Sequence, residues 1–159
     1  MKKIWVLAGL LVLITAVAAG CTTTGEGSVN PDADATPTAT VQAVVGVQWL
    51  ADWNEASNRA EADSKPVMIN FYTDACPACR KLDQETFADA DVSAFLNDNF
   101  VPLKSNAGKT SLYMNYGIRA VPTTVFVEPD GSEIARIVGY ISADSFYQDA
   151  LEVLERWQK

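Results

Sequence analysis

Asn70-Phe71-Tyr72-Thr73-Asp74-Ala75-Cys76-Pro77-Ala78-Cys79-Arg80-Lys81 sets two cysteines three residues apart, where an apolar run gives way to a helical pattern. Residues at i and i+3 share one face of a helix, so the two thiols can meet as a disulfide. Cys76 falls where a helix N-terminus stabilises negative charge. Pro77 takes the first helical position, where a missing N–H costs nothing. Cys76 is therefore a candidate thiolate nucleophile and Cys79 its resolving partner.

Working outward, Val67 to Tyr72 is nearly continuous apolar sequence, as expected of a strand buried on both faces of a sheet, with Asn70 the exception inside it. Upstream, Trp49 marks a short apolar strand, and Trp53, Ala56 and Ala60 recur at helical spacing until Ser64-Lys65-Pro66. Downstream, Leu82 and Phe87 continue a helix, Asp91 to Asn99 forms another, and Phe100 to Lys104 reads as a strand. Ser111 to Tyr116 is a short helix, and Thr123 to Val127 with Ile134 to Val138 flank Pro129-Asp130-Gly131 as a hairpin. Ser142 caps a last helix whose Phe146, Ala150, Val153, Leu154 and Trp157 form one apolar stripe. The order of elements implies an α/β domain, a mixed central sheet with helices on both faces.

At 159 residues, 48% of them hydrophobic and 20% charged, the chain accommodates one globular domain plus extra segments. Lys2 and Lys3 precede an uncharged run from Ile4 to Gly20 that ends at Cys21, the pattern of a signal peptide over residues 1–20. Val17-Ala18-Ala19-Gly20-Cys21 resembles the lipobox of exported lipoproteins, which implies that Cys21 carries the lipid; Ala18 stands where that family prefers Leu. An ordinary secretory cut and an uncleaved anchor are the alternatives, and every one of these readings exports the domain. Residues 21–45, rich in Thr, Pro and Asp, lack the apolar content to order themselves and read as a flexible tether. A coil of that length spans about 25 Å. The folded domain then covers residues 46–159.

The whole chain carries 12 basic and 20 acidic residues, and removal of residues 1–20 leaves 10 against 20. Such an acidic surface opposes phosphate backbones and anionic headgroups, so neither nucleic acid nor a bare lipid surface is an expected partner.

A CxxC pair can be half a metal site, a structural bridge or a redox couple. Zinc requires about four N or S ligands. Three cysteines, one of them expected to be lipidated, and no histidine do not supply them. A structural bridge across so short a loop adds little stability. The redox reading uses the helix terminus, the proline and both thiols, and it needs no cofactor beyond the Cys76–Cys79 disulfide.

Strand, CxxC, helix and then Val121-Pro122-Thr123 before a hairpin resembles the thioredoxin fold over residues 46–159. The resemblance implies that Pro122 is cis and lies beside the cysteines, and that Val121, Ala75, Pro77 and Ala78 face substrate; outside the family context, an ordinary trans proline is the alternative. Within this family Lys65-Pro66-Val67-Met68, Tyr72, Asp74, the CPAC motif, Glu85-Thr86-Phe87 and Asp91-Val92 are most similar to the C-terminal domain of the DsbD thiol-disulfide interchange proteins. That implies a reductant carrier on the extracytoplasmic face of the cell envelope. It would receive electrons from a separate membrane-embedded donor similar to the DsbD transmembrane domain and pass them to oxidised exported proteins.

Three positions depart from the family pattern. Ala75 replaces the usual Trp, which opens the rim of the site. Asn70 replaces a buried Asp that assists proton transfer from the second cysteine, and an amide cannot take that proton. Either Lys104, which resembles the buried lysine of thioredoxins, or water then serves, or resolution by Cys79 is slower; Lys104 also reads as a solvated strand-end residue. Pro77-Ala78 matches neither dipeptide of the better-known members, leaving the potential open between about −270 and −120 mV. Besides the reductase, the residues admit a disulfide-forming oxidant, suggested by Pro77, and a non-catalytic binding module with the cysteines as a clip.

Overall fold

The computed structural model describes residues 46–159; the leader, Cys21 and the tether expected from the sequence lie outside these described residues. α1 (Trp53–Asp63) starts where the Asp52 carboxylate accepts the Glu55 N–H at 2.9 Å, and it buries Ala56 and Ala60 completely. Ser64 ends it in the left-handed region at φ 53°, returning its N–H to the last carbonyls, and Lys65-Pro66 lead into β1 (Val67–Tyr72). β1 is central: β2 (Val101–Asn106) runs parallel on one side, and β3 (Thr123–Val127) antiparallel on the other with β4 (Glu133–Val138) beyond it. This is the mixed sheet expected, and four of the β1 side chains are fully buried because both faces are covered.

Side chains alternate across the sheet. Val67, Ile69 and Phe71 pack with Ala56, Ala60, Val101, Leu103, Val125 and Val127 under α1 and α4 (Leu112–Asn115). Met68 faces the opposite core with Leu82, Phe87, Leu96, Phe100, Phe126 and Phe146, covered by α3 (Ala90–Asn99) and α5 (Ala143–Trp157). Here Trp49, Phe87, Phe146, Phe126 and Phe100 form a chain of rings with centroids 5.0 to 6.3 Å apart. Each such buried ring contributes about 2–3 kcal/mol of transfer free energy.

Two expectations change. The strand around Trp49 is only a single bridge, in which Leu50 donates to Pro102 and accepts from Lys104. Pro102 has no N–H to continue that ladder toward residue 48, and the Gln48 N–H bonds instead to the Asn97 side chain at 2.8 Å. The helix after the cysteines is also not continuous. α2 (Pro77–Lys81) passes into a π-helical turn over Leu82–Thr86, closed by the Phe87 N–H on the Leu82 carbonyl at 3.0 Å. The chain recaps at Asp89, whose carboxylate accepts the N–H groups of Asp91 and Val92.

The hairpin turns at Gly131, where φ of 92° suits glycine, and the Asp130 carboxylate accepts the Ser132 N–H at 2.8 Å. α5 begins at Ser142 and buries Phe146, Ala150 and Val153, with Leu154 and Trp157 half-buried at its flank.

Candidate functional site

β1 delivers the chain to the C-terminal edge of the sheet, and a turn closed by the Cys76 N–H on the Thr73 carbonyl reverses it into α2. Cys76 is the N-cap of α2 in extended conformation, with Pro77 following inside the first turn. The Cys79 N–H points at the Cys76 sulfur from 3.0 Å, so one free donor of the helix terminus is aimed at that atom. The two sulfurs are joined as a disulfide with Cα atoms 5.3 Å apart. Both cysteines are buried, Cys76 slightly less so, while Ala75, Pro77 and Ala78 around them are exposed and small.

Across 45 residues of sequence, the Val121 carbonyl oxygen lies 3.7 Å from the Cys76 sulfur. The Val121–Pro122 peptide bond is cis, Val121 is half-buried and Pro122 is buried. Thus Cys76, Cys79, Ala75, Pro77, Ala78, Val121 and Pro122 are one patch of the molecule.

Asn70 lies under this patch on the sheet face that also bears Met68. It is 1% exposed, and its amide donates to the Thr124 hydroxyl on β3 at 3.0 Å, so the buried polar group is satisfied within the sheet. Lys104 is paired in register with Asn70 on β2. It is not a strand-end residue, because β2 runs on to Asn106; its ammonium is half-buried, 2.6 Å from the Asp83 carboxylate and 5.2 and 5.3 Å from the Tyr72 and Trp49 ring centres. A positive charge so placed draws on both the carboxylate and the ring faces.

Local sequence pattern assigns no role to several polar residues around the patch. Asp83 follows Cys79 by four residues, a spacing that puts it on the cysteine side of the helix. Asp74, on the turn before Cys76, accepts from the Asn106 amide at 2.8 Å and pairs with Lys109 at 2.9 Å. That hydrogen bond holds the Lys109 ammonium above its ordinary pKa. Glu85 accepts from the Tyr140 hydroxyl at 2.6 Å, and Thr86, fully buried, donates to the Ile141 carbonyl at 2.7 Å, so the π turn is stapled to the segment ahead of α5. These partners lie 32 to 55 residues away in sequence, beyond the reach of any local pattern.

A cleft of about 620 Å³ between α3 and the start of α5, lined by Asp89, Asp91, Phe95, Asp98, Asp144 and Tyr147, lies apart from the cysteines and contains no thiol. The disulfide lies instead beside the exposed Ala75, Pro77 and Ala78. Among the described residues no helix is long and apolar enough to cross a membrane.

Comparison with known proteins agrees with this geometry. A thioredoxin-like domain family matches residues 53–153, which include both cysteines and Pro122. The thiol:disulfide interchange protein DsbD of Ralstonia nicotianae is 31% identical over 126 residues, covering 76% of this chain and 21% of that protein. The chain therefore spans about a fifth of the length of that relative. Among solved structures, a thioredoxin from Thermus thermophilus superposes with a TM-score of 0.62 at 25% identity, covering 69% of this chain and 88% of the other. The oxidised C-terminal domain of Neisseria meningitidis DsbD superposes with a TM-score of 0.56 at 21% identity, covering 66% and 98%, a likeness of fold.

Proposed function

This chain belongs to the thioredoxin-like family, and from that premise we propose that it is a thiol-disulfide oxidoreductase that works outside the cytoplasm and reduces disulfides of exported proteins. The observation that carries the reading is the Cys79 N–H held 3.0 Å from the Cys76 sulfur at the head of α2. In the reduced protein the same donor stabilises a Cys76 thiolate, the form that attacks disulfides. Cys76 bonds to one sulfur of the substrate disulfide while the other leaves as a thiolate. Cys79 then attacks the Cys76 sulfur, releasing the second substrate thiol and closing the Cys76–Cys79 bridge. Two electrons have passed from the dithiol to the substrate, and a dithiol on a membrane-embedded donor restores them.

Val121, cis-Pro122, Ala75, Pro77 and Ala78 form the surface against which the substrate segment lies in this reading. Asn70 cannot accept the Cys79 proton, and the Lys104 side chain is taken up by its contact with Asp83. In this reading water serves as the acceptor, or resolution by Cys79 is slower than in the family pattern. The leader, a lipid on Cys21 and the tether of residues 21–45 would hold the domain at the extracytoplasmic face of the membrane, a proposal that rests on the sequence pattern.

The test is insulin reduction by the full chain with a chemical electron supply. Cys76→Ser should lower the rate to that of the uncatalysed reaction, and Cys79→Ser should accumulate a mixed disulfide on Cys76. Full turnover by the Cys76→Ser protein would refute the assignment. Pro77 motivates the opposite direction, oxidation of exported thiols, and a measured potential above about −150 mV would favour it.

A further inference from the structure

Residues 46–159 carry ten basic and seventeen acidic side chains, and the two signs are not evenly spread. Half of the cations, Arg80, Lys81, Lys104, Lys109 and Arg119, stand on the segments that surround the disulfide. These are the turn at Asp74, α2 with the π turn that follows it, β2 from Lys104 with its following loop to Lys109, and the loop leading into Val121-Pro122. Only three carboxylates share those segments, and a lysine meets each of them: Asp74 with Lys109 at 2.9 Å, Asp83 with Lys104 at 2.6 Å, and Glu85 with Lys81 at 3.8 Å. Arg80 and Arg119 remain exposed, with no carboxylate partner among the described residues. The redox face is thus net positive by two charges, whereas the other described residues hold five cations against fourteen carboxylates.

Both arginines stand on segments that adjoin the reacting sulfur. The Arg80 guanidinium donates to the Asp74 carbonyl at 3.4 Å, on the turn that leads into Cys76. Arg119 precedes Val121 by two residues, at most about 7 Å of backbone. The Val121 carbonyl is itself 3.7 Å from the Cys76 sulfur. At these separations the charges act within a Debye length of a substrate seated on Cys76. Side chains flanking Cys76 are Ala75, Pro77 and Ala78, too small to provide an aromatic anchor, so charge is the main recognition element left on the rim.

Resting on the thiol-disulfide reading above, we infer that the redox face selects protein disulfides flanked by Asp or Glu, whose carboxylates engage Arg80 and Arg119 while Cys76 attacks. The guanidinium fork suits a carboxylate, taking it in bidentate fashion. The acidic body repels such a partner everywhere except at this rim and so orients the encounter. Electron flow is unchanged: the partner disulfide gains two electrons from the Cys76/Cys79 dithiol, and the carboxylates take no part in bond making.

The experiment uses the full chain, reduced and freed of reductant, with three disulfide peptides that differ only in having Glu, Gln or Lys beside the cysteines. Each rate is divided by that of the same peptide with dithiothreitol, which removes the intrinsic effect of the flanking residue. The Glu peptide should react about tenfold faster than the Lys peptide at about 20 mM salt, and the ratio should approach one at about 500 mM. In Arg80→Gln/Arg119→Gln the ratio should fall to about one at low salt, whereas Arg156→Gln on α5 should retain it. A Glu-to-Lys ratio of one or below in the unmodified chain, or a full ratio in the double variant, overturns the inference while leaving the redox reading intact. Failure to reduce even the Gln peptide overturns both.

Discussion

α5 and the helical path that follows the cysteines cover the same face of the sheet, but they are built differently. α5 is fifteen residues of unbroken helix, started by Ser142 and seated by Phe146, Ala150 and Val153. The path from Pro77 to Asn99 breaks at a π turn and starts again at Asp89. The irregular path ties three polar side chains of one turn to other segments: Asp83 to Lys104, Glu85 to Tyr140, and Thr86 to the Ile141 carbonyl. A regular helix is the solution to burying a stripe, and the broken one is the solution to holding a reactive helix end in place.

The largest separation between the two should come from Phe146→Ala. It removes the ring that bridges Phe87 at 5.1 Å and Phe126 at 6.3 Å, and denaturant unfolding should show a loss of about 3–5 kcal/mol. On the broken path, Thr86→Val leaves the Ile141 carbonyl without its donor and should cost about 1–3 kcal/mol by the same measurement. No loss there would mean the π turn is not held by this bond. The caps come next: Asp89→Ala, which removes the acceptor of two N–H groups, and Ser142→Ala, which removes one at 3.4 Å, should each cost about 0.5–2 kcal/mol. Asp89 should be the larger, and the reverse order would erase the contrast between the paths.

The smallest effect is on pH dependence. The hydrogen bond to Glu85 raises the Tyr140 pKa above its ordinary 10.0. The associated stabilisation is fully present below pH 10.0 and disappears as pH rises through the raised folded-state value. Ultraviolet titration of the tyrosines should show Glu85→Ala moving one transition downward, and an unmoved titration would show that the staple does not act on Tyr140.

Much of the fold was legible because its signals are local. Continuous apolar sequence from Val67 marked the central strand, Pro129-Asp130-Gly131 marked the hairpin, and Ser142 marked the start of α5. The strand expected near Trp49 is reduced to a bridge: its apolar residues do pack against the core, but the hydrogen bond that would extend it is denied by Pro102, more than fifty residues later. Lys104 could not be placed from its own neighbours, since its environment depends on a π turn that brings Asp83 to it.

The amino-acid sequence by itself determined that two thiols share one helix end with a proline behind the first, because i to i+3 spacing and the proline position act within a single turn. It also determined the sheet's central strand and the chain's acidic balance. Only the tertiary structure decided that the Val121 carbonyl comes to 3.7 Å from the Cys76 sulfur, that Asn70 spends its amide on Thr124, and that Lys104 and Lys109 neutralise Asp83 and Asp74 around the disulfide. Those outcomes depend on strand register and loop closure across tens of residues, where pairing energy rather than local propensity sets the geometry.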